Sequence, residues 1–311
     1  MKLSIAPESS KGLLATLTAT VLAFALVAVS FAGLADSASA APPKRVVALT
    51  PFAANTMADL GVLPKAVGQV LNTSDERSTF NSKIDAGIRR GKIKVLTLTH
   101  PNGPNLEQLA KRRIDFVYSS SQWSKGTSGM KSLGIKVQTA DPLGLGQTWA
   151  KTNAIARKLG KAKAGKKLVR KRRAQVAKST KNIKSRPKVM VILGVGRTPF
   201  TFLGSSWGGK LVKAAGGALE TGGANASGGF ARISDEVVIA EQPEIIIAVP
   251  HAETKNIDEA IEYLKNNPAW GNTPAAQNDR IYVSTDNSLL QADGNPAKVI
   301  NRVRSQYLKN R

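Results

Sequence analysis

The chain contains no cysteine in 311 residues. That excludes disulfides, thiol nucleophiles and cysteine-ligated metals, and with them a lipobox cysteine as lipid anchor. Histidine is scarce too, at two residues. A bare zinc or manganese site needs three or four convergent His, Asp or Glu ligands, so this supply fits poorly and no metal site is expected. No G-x-S-x-G elbow, H-E-x-x-H pair or Walker A loop occurs. Gly194-Val195-Gly196 lacks the third glycine of a dinucleotide fingerprint. These absences argue against an enzyme and against a resident cofactor.

Acidic residues are outnumbered 21 to 45 by Lys and Arg, for a formal net charge of +24. The excess is local. Residues Arg157 to Lys188 hold fifteen Lys and Arg and no Asp or Glu. Such a run suggests nucleic acid, yet no aromatic side chain falls between Trp149 and Phe200 to stack on bases. The chain also opens like an exported protein. Lys2 and Lys11 precede an uncharged, mostly apolar run from Leu13 to Leu34, and Ala38-Ser39-Ala40 reads as a cleavage site. Residues 1–40 are therefore expected to be a signal peptide, with a retained membrane anchor as the alternative because the run is long enough to span a bilayer. Nucleic acid is not expected as a partner. The basic segment reads as a solvated helix face, or as one attracted to anionic lipid headgroups or wall polymers.

Beyond residue 41, apolar runs alternate with helical patterns. Strands are expected at 45–50, 65–70, 92–98, 115–120 and 135–140, with helices near 54–60, 105–112 and 124–132. From 147 to about 184 the sequence predicts one long helix with sparse apolar positions, which Gly160 and Gly165 are placed to interrupt. Pro187 ends it. A second series follows: strand 188–194, helix 207–215, helix 234–241, strand 244–249, helix 257–266, strand 280–285 and a final helix over 295–309. This alternation implies mainly parallel sheets. The expected division is an N-terminal lobe over 41–146, a connector over 147–187 and a C-terminal lobe over 188–311.

One segment occurs twice. Residues 105–118 read NLEQLAKRRIDFVY and residues 234–247 read SDEVVIAEQPEIII. Glu107 and Glu236 are each followed eight residues later by a second carboxylate, Asp115 and Glu244, that leads into an apolar run. Each copy is an amphipathic helix that begins with an acid, where the helix dipole favours it, and feeds a buried strand.

The order RVVALT-P, PNLE…DFVY, LGIKV, a long helix, KVMVIL and ISDEVVIAEQPEIII resembles the substrate-binding proteins of ABC importers for iron–siderophore, haem and cobalamin. The resemblance covers 44–311. It implies an α/β fold of two Rossmann-like lobes joined by a single long connector helix, a monomer with ligand in the cleft between lobes, and only modest closure on capture. It also implies that Glu107 and Glu236 dock into basic pockets of the permease dimer. Ligand contacts in such folds come from loops at the carboxyl ends of strands. Those loops offer Thr50, Phe52, His100, Ser120, Gln122, Trp123, Arg197, Phe230, Arg232, His251 and Asn287. Phe230 matches a place where cobalamin binders of the family set a large aromatic. Arg197 and Arg232 would suit an anionic ferric siderophore, and Trp123 and Phe230 a planar chelate. Haem stays open as a rival ligand, with His100 or His251 as its iron ligand. A cell-surface adhesin acting through the basic segment is the alternative of another class.

Overall fold

The computed structural model describes residues 41–69, 79–99, 102–194, 199–251 and 257–309. The expected signal segment, His100 and Arg197 lie outside the described residues. Among the described residues, no helix is long and apolar enough to cross a membrane.

The first strand, β1 (Val46–Ala48), is wholly buried and leads to Thr50, whose side chain accepts from the Ala53 N–H and caps α1 (Pro51–Asp59). The helix therefore starts three residues earlier than its apolar pattern suggests, with Pro51 at the position where a missing N–H costs nothing. There follow β2 (Ala66–Gln69), α2 (Ser82–Arg89), β3 (Lys94–Thr99), the dipeptide strand β4 (Gly103–Pro104), α3 (Leu106–Lys111), β5 (Phe116–Ser119), α4 (Ser124–Ser132) and β6 (Lys136–Thr139). Strand order is β4-β3-β2-β1-β5-β6, with only β4 antiparallel to its neighbour. Chain direction across the sheet reverses beside β1. This places the loops after β1 and β5 at a switch point, where open α/β sheets bind ligands.

The connector differs from a single helix. It is two helices, α5 (Leu145–Lys158) and α6 (Ala162–Ser179), broken at Gly160, which adopts a left-handed φ of +67°. Glycine takes that conformation without strain, so the chain turns there and α6 folds back along α5. A Cβ on Gly165 would sit 2.3 Å from the Ala156 Cβ, so that glycine permits close packing of the two helices and does not break them.

The second lobe is built from β7 (Lys188–Leu193), β8 (Phe200–Phe202), α7 (Trp207–Ala215), β9 (Ala218–Glu220), β10 (Phe230–Arg232), α8 (Asp235–Glu241), β11 (Ile245–Val249), α9 (Ile257–Asn266), α10 (Pro268–Gly271), α11 (Pro274–Gln277), β12 (Ile281–Val283) and α12 (Pro296–Arg302). Its sheet runs β10-β8-β7-β11-β12, with β9 beside the start of β7. Strands β7, β9, β11 and β12 are parallel, whereas β8 and β10 are antiparallel additions within stretches expected as loops. The fold is thus α/β, in two lobes with largely parallel sheets.

The doubled segment occupies equivalent places. In the first lobe, α3 feeds β5, and Asp115 accepts from the main-chain N–H of Lys44 at 2.9 Å and of Arg45 at 3.1 Å. In the second, α8 feeds β11, and Glu244 accepts from the Lys188 N–H at 2.7 Å. Each second carboxylate clamps the entry of its lobe's first strand.

The lobes also meet at a polar node around α6. Arg172 is 1% exposed and donates to Asp59 at 2.8 Å and to the Thr56 and Thr152 hydroxyls, each at 3.3 Å. Asn55 on α1 donates to Asp293 at 3.3 Å, and Asn295 donates to Gln175 of α6 at 3.2 Å. Desolvation pushes the Asp293 carboxyl above the ordinary carboxylate range, against the pull of its neighbouring amides and cations.

Candidate functional site

A cleft of about 190 Å³ lies between the carboxyl ends of the two sheets. The first lobe lines it with Thr50-Pro51-Phe52, Ser120 to Trp123, and Asp141-Pro142-Leu143. These three stretches follow β1, β5 and β6. The second lobe contributes Ser205-Ser206-Trp207, Ser227 to Phe230, and Leu289 to Ala292.

Of the residues expected from sequence, Thr50, Phe52, Ser120, Gln122, Trp123 and Phe230 come together here. Ser120 faces the cleft because its hydroxyl caps the 3-10 turn Ser121–Trp123, accepting from the Gln122 N–H. Trp123 is nearly buried at 3% exposure, against Gly103, whose added Cβ would meet it at 3.2 Å. Phe230 is half-buried, edge-on to Phe202 with ring centroids 4.8 Å apart. Strand β10 brings it into the wall.

Three expected residues lie elsewhere. Arg232 is exposed, pairs in register with Phe200 and stacks its guanidinium over that ring, 5.7 Å from the centroid. Two positions along the strand have carried it about 7 Å past Phe230 and out of the lining. His251 is exposed after the carboxyl end of β11, outside the lining. Asn287 is buried beneath the wall, where its carbonyl accepts from the Leu290 and Gln291 N–H groups. It shapes the 289–292 wall without facing the cleft.

Asp141 and Trp207 were not singled out from sequence. Asp141 Oδ2 accepts from the Ser120 hydroxyl at 2.9 Å and the Ser121 hydroxyl at 3.0 Å, while its buried Oδ1 has no partner. Its signal was present: Asp-Pro directly after a strand, at the same sheet edge as Ser120. Trp207 is 4% exposed and is oriented by its indole N–H, which donates to the Ser288 carbonyl at 2.9 Å. It opens α7, which Ser206 caps by accepting from the Gly209 N–H. Among the described residues, Asp141 is the single charged group in the lining, and no Lys or Arg joins it. The wall is otherwise aromatic rings, aliphatic chains and hydroxyls. Tyr118 is fully buried in β5, and burial raises its hydroxyl above the ordinary range.

Glu107 and Glu236 are both exposed in the first turns of α3 and α8. Glu107 pairs with Lys111 at 2.6 Å. A hydrogen bond from the Ser234 hydroxyl holds the Glu236 carboxyl below its usual value. Helix α3 starts next to β4, which pairs with the end of β3. Helix α8 starts just after Arg232, level with the end of β7 through Phe200. Both carboxylates therefore sit on the cleft side of their sheets.

A family model described as "Periplasmic binding protein" matches residues 46–287. The chain belongs to this family. A "Cobalamin-binding protein" of Halobacterium salinarum is 27% identical over 213 residues, covering 66% of this chain and 53% of that protein. The chain thus spans about half the length of the curated relatives it matches. An ABC transporter substrate-binding protein from Listeria monocytogenes superposes with a TM-score of 0.69 at 19% identity, over 86% of this chain and 100% of that one. An Fe3+-hydroxamate transport protein from Saccharomonospora viridis does so at 0.66 and 18% identity, over 84% and 92%. At such identities these two likenesses concern the fold. Periplasmic binding proteins are extracytoplasmic and hand small solutes to permeases; they are not enzymes.

Proposed function

We propose that this periplasmic binding protein captures a bulky metal chelate of low net charge and delivers it to an ABC importer, with a corrinoid such as cobalamin as the first candidate. The observation that carries the reading is the lining: aromatic residues from both lobes, a row of hydroxyls and a single carboxylate, that of Asp141. Hydroxyls and a carboxylate in the wall favour a ligand that brings N–H groups, because polar groups closed away from water without partners are costly. The peripheral amides of a corrinoid supply such donors, and its flat macrocycle suits the half-buried Phe230 ring beside the nearly buried Trp123 and Trp207. The similarity to a cobalamin-binding protein supports the same choice.

A ferric siderophore is the second reading. The lack of Lys or Arg in the described lining favours a neutral hydroxamate over an anionic chelate. At about 190 Å³ the cleft is smaller than the roughly 300–1,000 Å³ typical of small-molecule sites. Either chelate stands partly proud of the cleft or parts the lobes. Glu107 and Glu236 dock the loaded protein onto the permease, on the same side as the cleft.

Titration of intrinsic tryptophan fluorescence against cyanocobalamin, a neutral ferric hydroxamate, ferric citrate and haemin tests the ligand. Saturable quenching by cyanocobalamin is expected. Quenching by ferric citrate alone would sink the low-charge reading. In cells, E107R with E236R should abolish uptake at unchanged ligand affinity. Full uptake by that variant would remove both carboxylates from the docking role.

A further inference from the structure

The basic helix α6 has one inward stripe, Gly165, Val169, Arg172, Val176 and Ser179, all buried. Among the described residues, the single ion pair made by the 157–188 segment is that of Arg172 with Asp59. Lys158 and Arg173 lie over the Phe116 and Trp149 rings, and Lys163, Lys166, Lys167, Arg170 and Lys178 are exposed. Asp59 and Asp293 serve the inward Arg172, and an exposed face with this many like charges repels itself, a cost that a counter-ion relieves.

The side of the molecule on which these cations lie identifies the partner. Thr50 lines the cleft at the start of α1, and Asp59 at its far end, about 13 Å away, holds Arg172. Near the start of α6, a Cβ on Gly160 would meet Pro42, ahead of β1, at 3.1 Å. Just after its end, Pro187 and Lys188 open β7, and the Pro187 carbonyl accepts from Ala218 at the start of β9. Helix α6 therefore runs along the amino ends of both sheets. The cleft, Glu107 and Glu236 lie at the carboxyl ends.

We infer that the exposed face of α6 binds a linear phosphate-bearing polymer outside the membrane and does not bind the membrane itself. The inference rests on the proposed docking of Glu107 and Glu236, which turns α6 away from the bilayer. A line of cations along about 27 Å of helix suits a linear chain of regularly spaced charges. Phosphodiesters stay ionised at every pH outside the cell, and lysine binds phosphate as a point charge.

The test measures binding of the full chain to long-chain inorganic polyphosphate and to phosphatidylglycerol vesicles across 50–300 mM salt. The comparison is K163Q/K166Q/K167Q/R170Q, whose glutamines preserve helix propensity. Polyphosphate binding that falls steeply with salt is expected, weakened about tenfold in the variant, with the log–log salt slope reduced by about 3. No polyphosphate binding at 50 mM salt, or binding unchanged in the variant, would overturn the inference. Vesicle binding as tight as polyphosphate binding and lost in the variant would overturn it in favour of the membrane. Cyanocobalamin quenching measured on the same variant keeps the two readings apart. Its retention alongside lost polymer binding confirms the α6 face, whereas its absence in both proteins counts against the ligand reading alone.

Discussion

The two lobes carry the same doubled segment but turn different chemistry toward the cleft. In both, the second carboxylate clamps the first strand: Asp115 takes two main-chain N–H groups, and Glu244 takes one. In both, the first carboxylate is exposed at the cleft edge. The first lobe, almost wholly parallel, meets the cleft with strand-end loops carrying Thr50, Ser120 and Asp141. The second inserts the antiparallel pair β8 and β10, and this insertion delivers Phe230. The repeated parts hold each lobe together, and the non-repeated parts set what the cleft can recognise.

The largest test of this division is the node where α1 of the first lobe meets Arg172 of α6 and Asp293. R172A should lower stability by about 3 kcal/mol, at the low end for breaking a buried pair because Asp59, a third exposed, can rehydrate. Denaturant midpoints measure it, and a loss below 1 kcal/mol would show that the lobes do not depend on the node. Next, D115A should cost about 1–2 kcal/mol and E244A about 1 kcal/mol, both discounted because the bonds are exposed. The reverse order, read from thermal melts, would break the equivalence of the two clamps.

The smallest effect is pH-dependent. Burial raises the Asp293 carboxyl in the native protein, so between the ordinary carboxylate range and that raised value the native state keeps a proton that the unfolded chain has lost. Stability due to this group therefore falls as pH rises through that window. The melting temperature of the wild type relative to D293N should decline from pH 4 to pH 7, and a flat difference would argue against a raised Asp293.

Much of this was legible in the sequence. Long apolar runs named β1, β5, β7 and β11, because strands buried on both faces leave no room for polar alternation. The short strands β4, β8, β9 and β10 sit outside such apolar runs, carry too little periodicity to announce themselves, and exist through their pairing partners. Thr50, Ser120 and Phe230 were found by the rule that ligands meet strand ends. Arg232 was misplaced because that rule does not say where a short antiparallel strand ends. Trp207 and Leu289 to Ala292 reach the cleft through the packing of α7 on the loop after β12, which no local pattern encodes. The sequence predicts one long connector helix with Gly160 and Gly165 placed to interrupt it, and the left-handed turn at Gly160 makes it two.

The clamps also bear on the order in which the molecule assembles. Asp115 reaches back 71 residues to Lys44, and Glu244 reaches back 56 to Lys188, each within its own lobe. Closing such loops costs entropy that grows only slowly with length, so each lobe can complete itself without the other. The node is different: Arg172 to Asp59 spans 113 positions, and Asn55 to Asp293 spans 238. Within the first lobe the Asn55 amide already donates to the Thr79 carbonyl at 2.9 Å and accepts from the Asn81 N–H at 2.8 Å, so its bond to Asp293 is an addition made when the second lobe arrives. The bond longest in sequence among these is thus the one that ties α1 to the stretch ahead of α12, across the two walls.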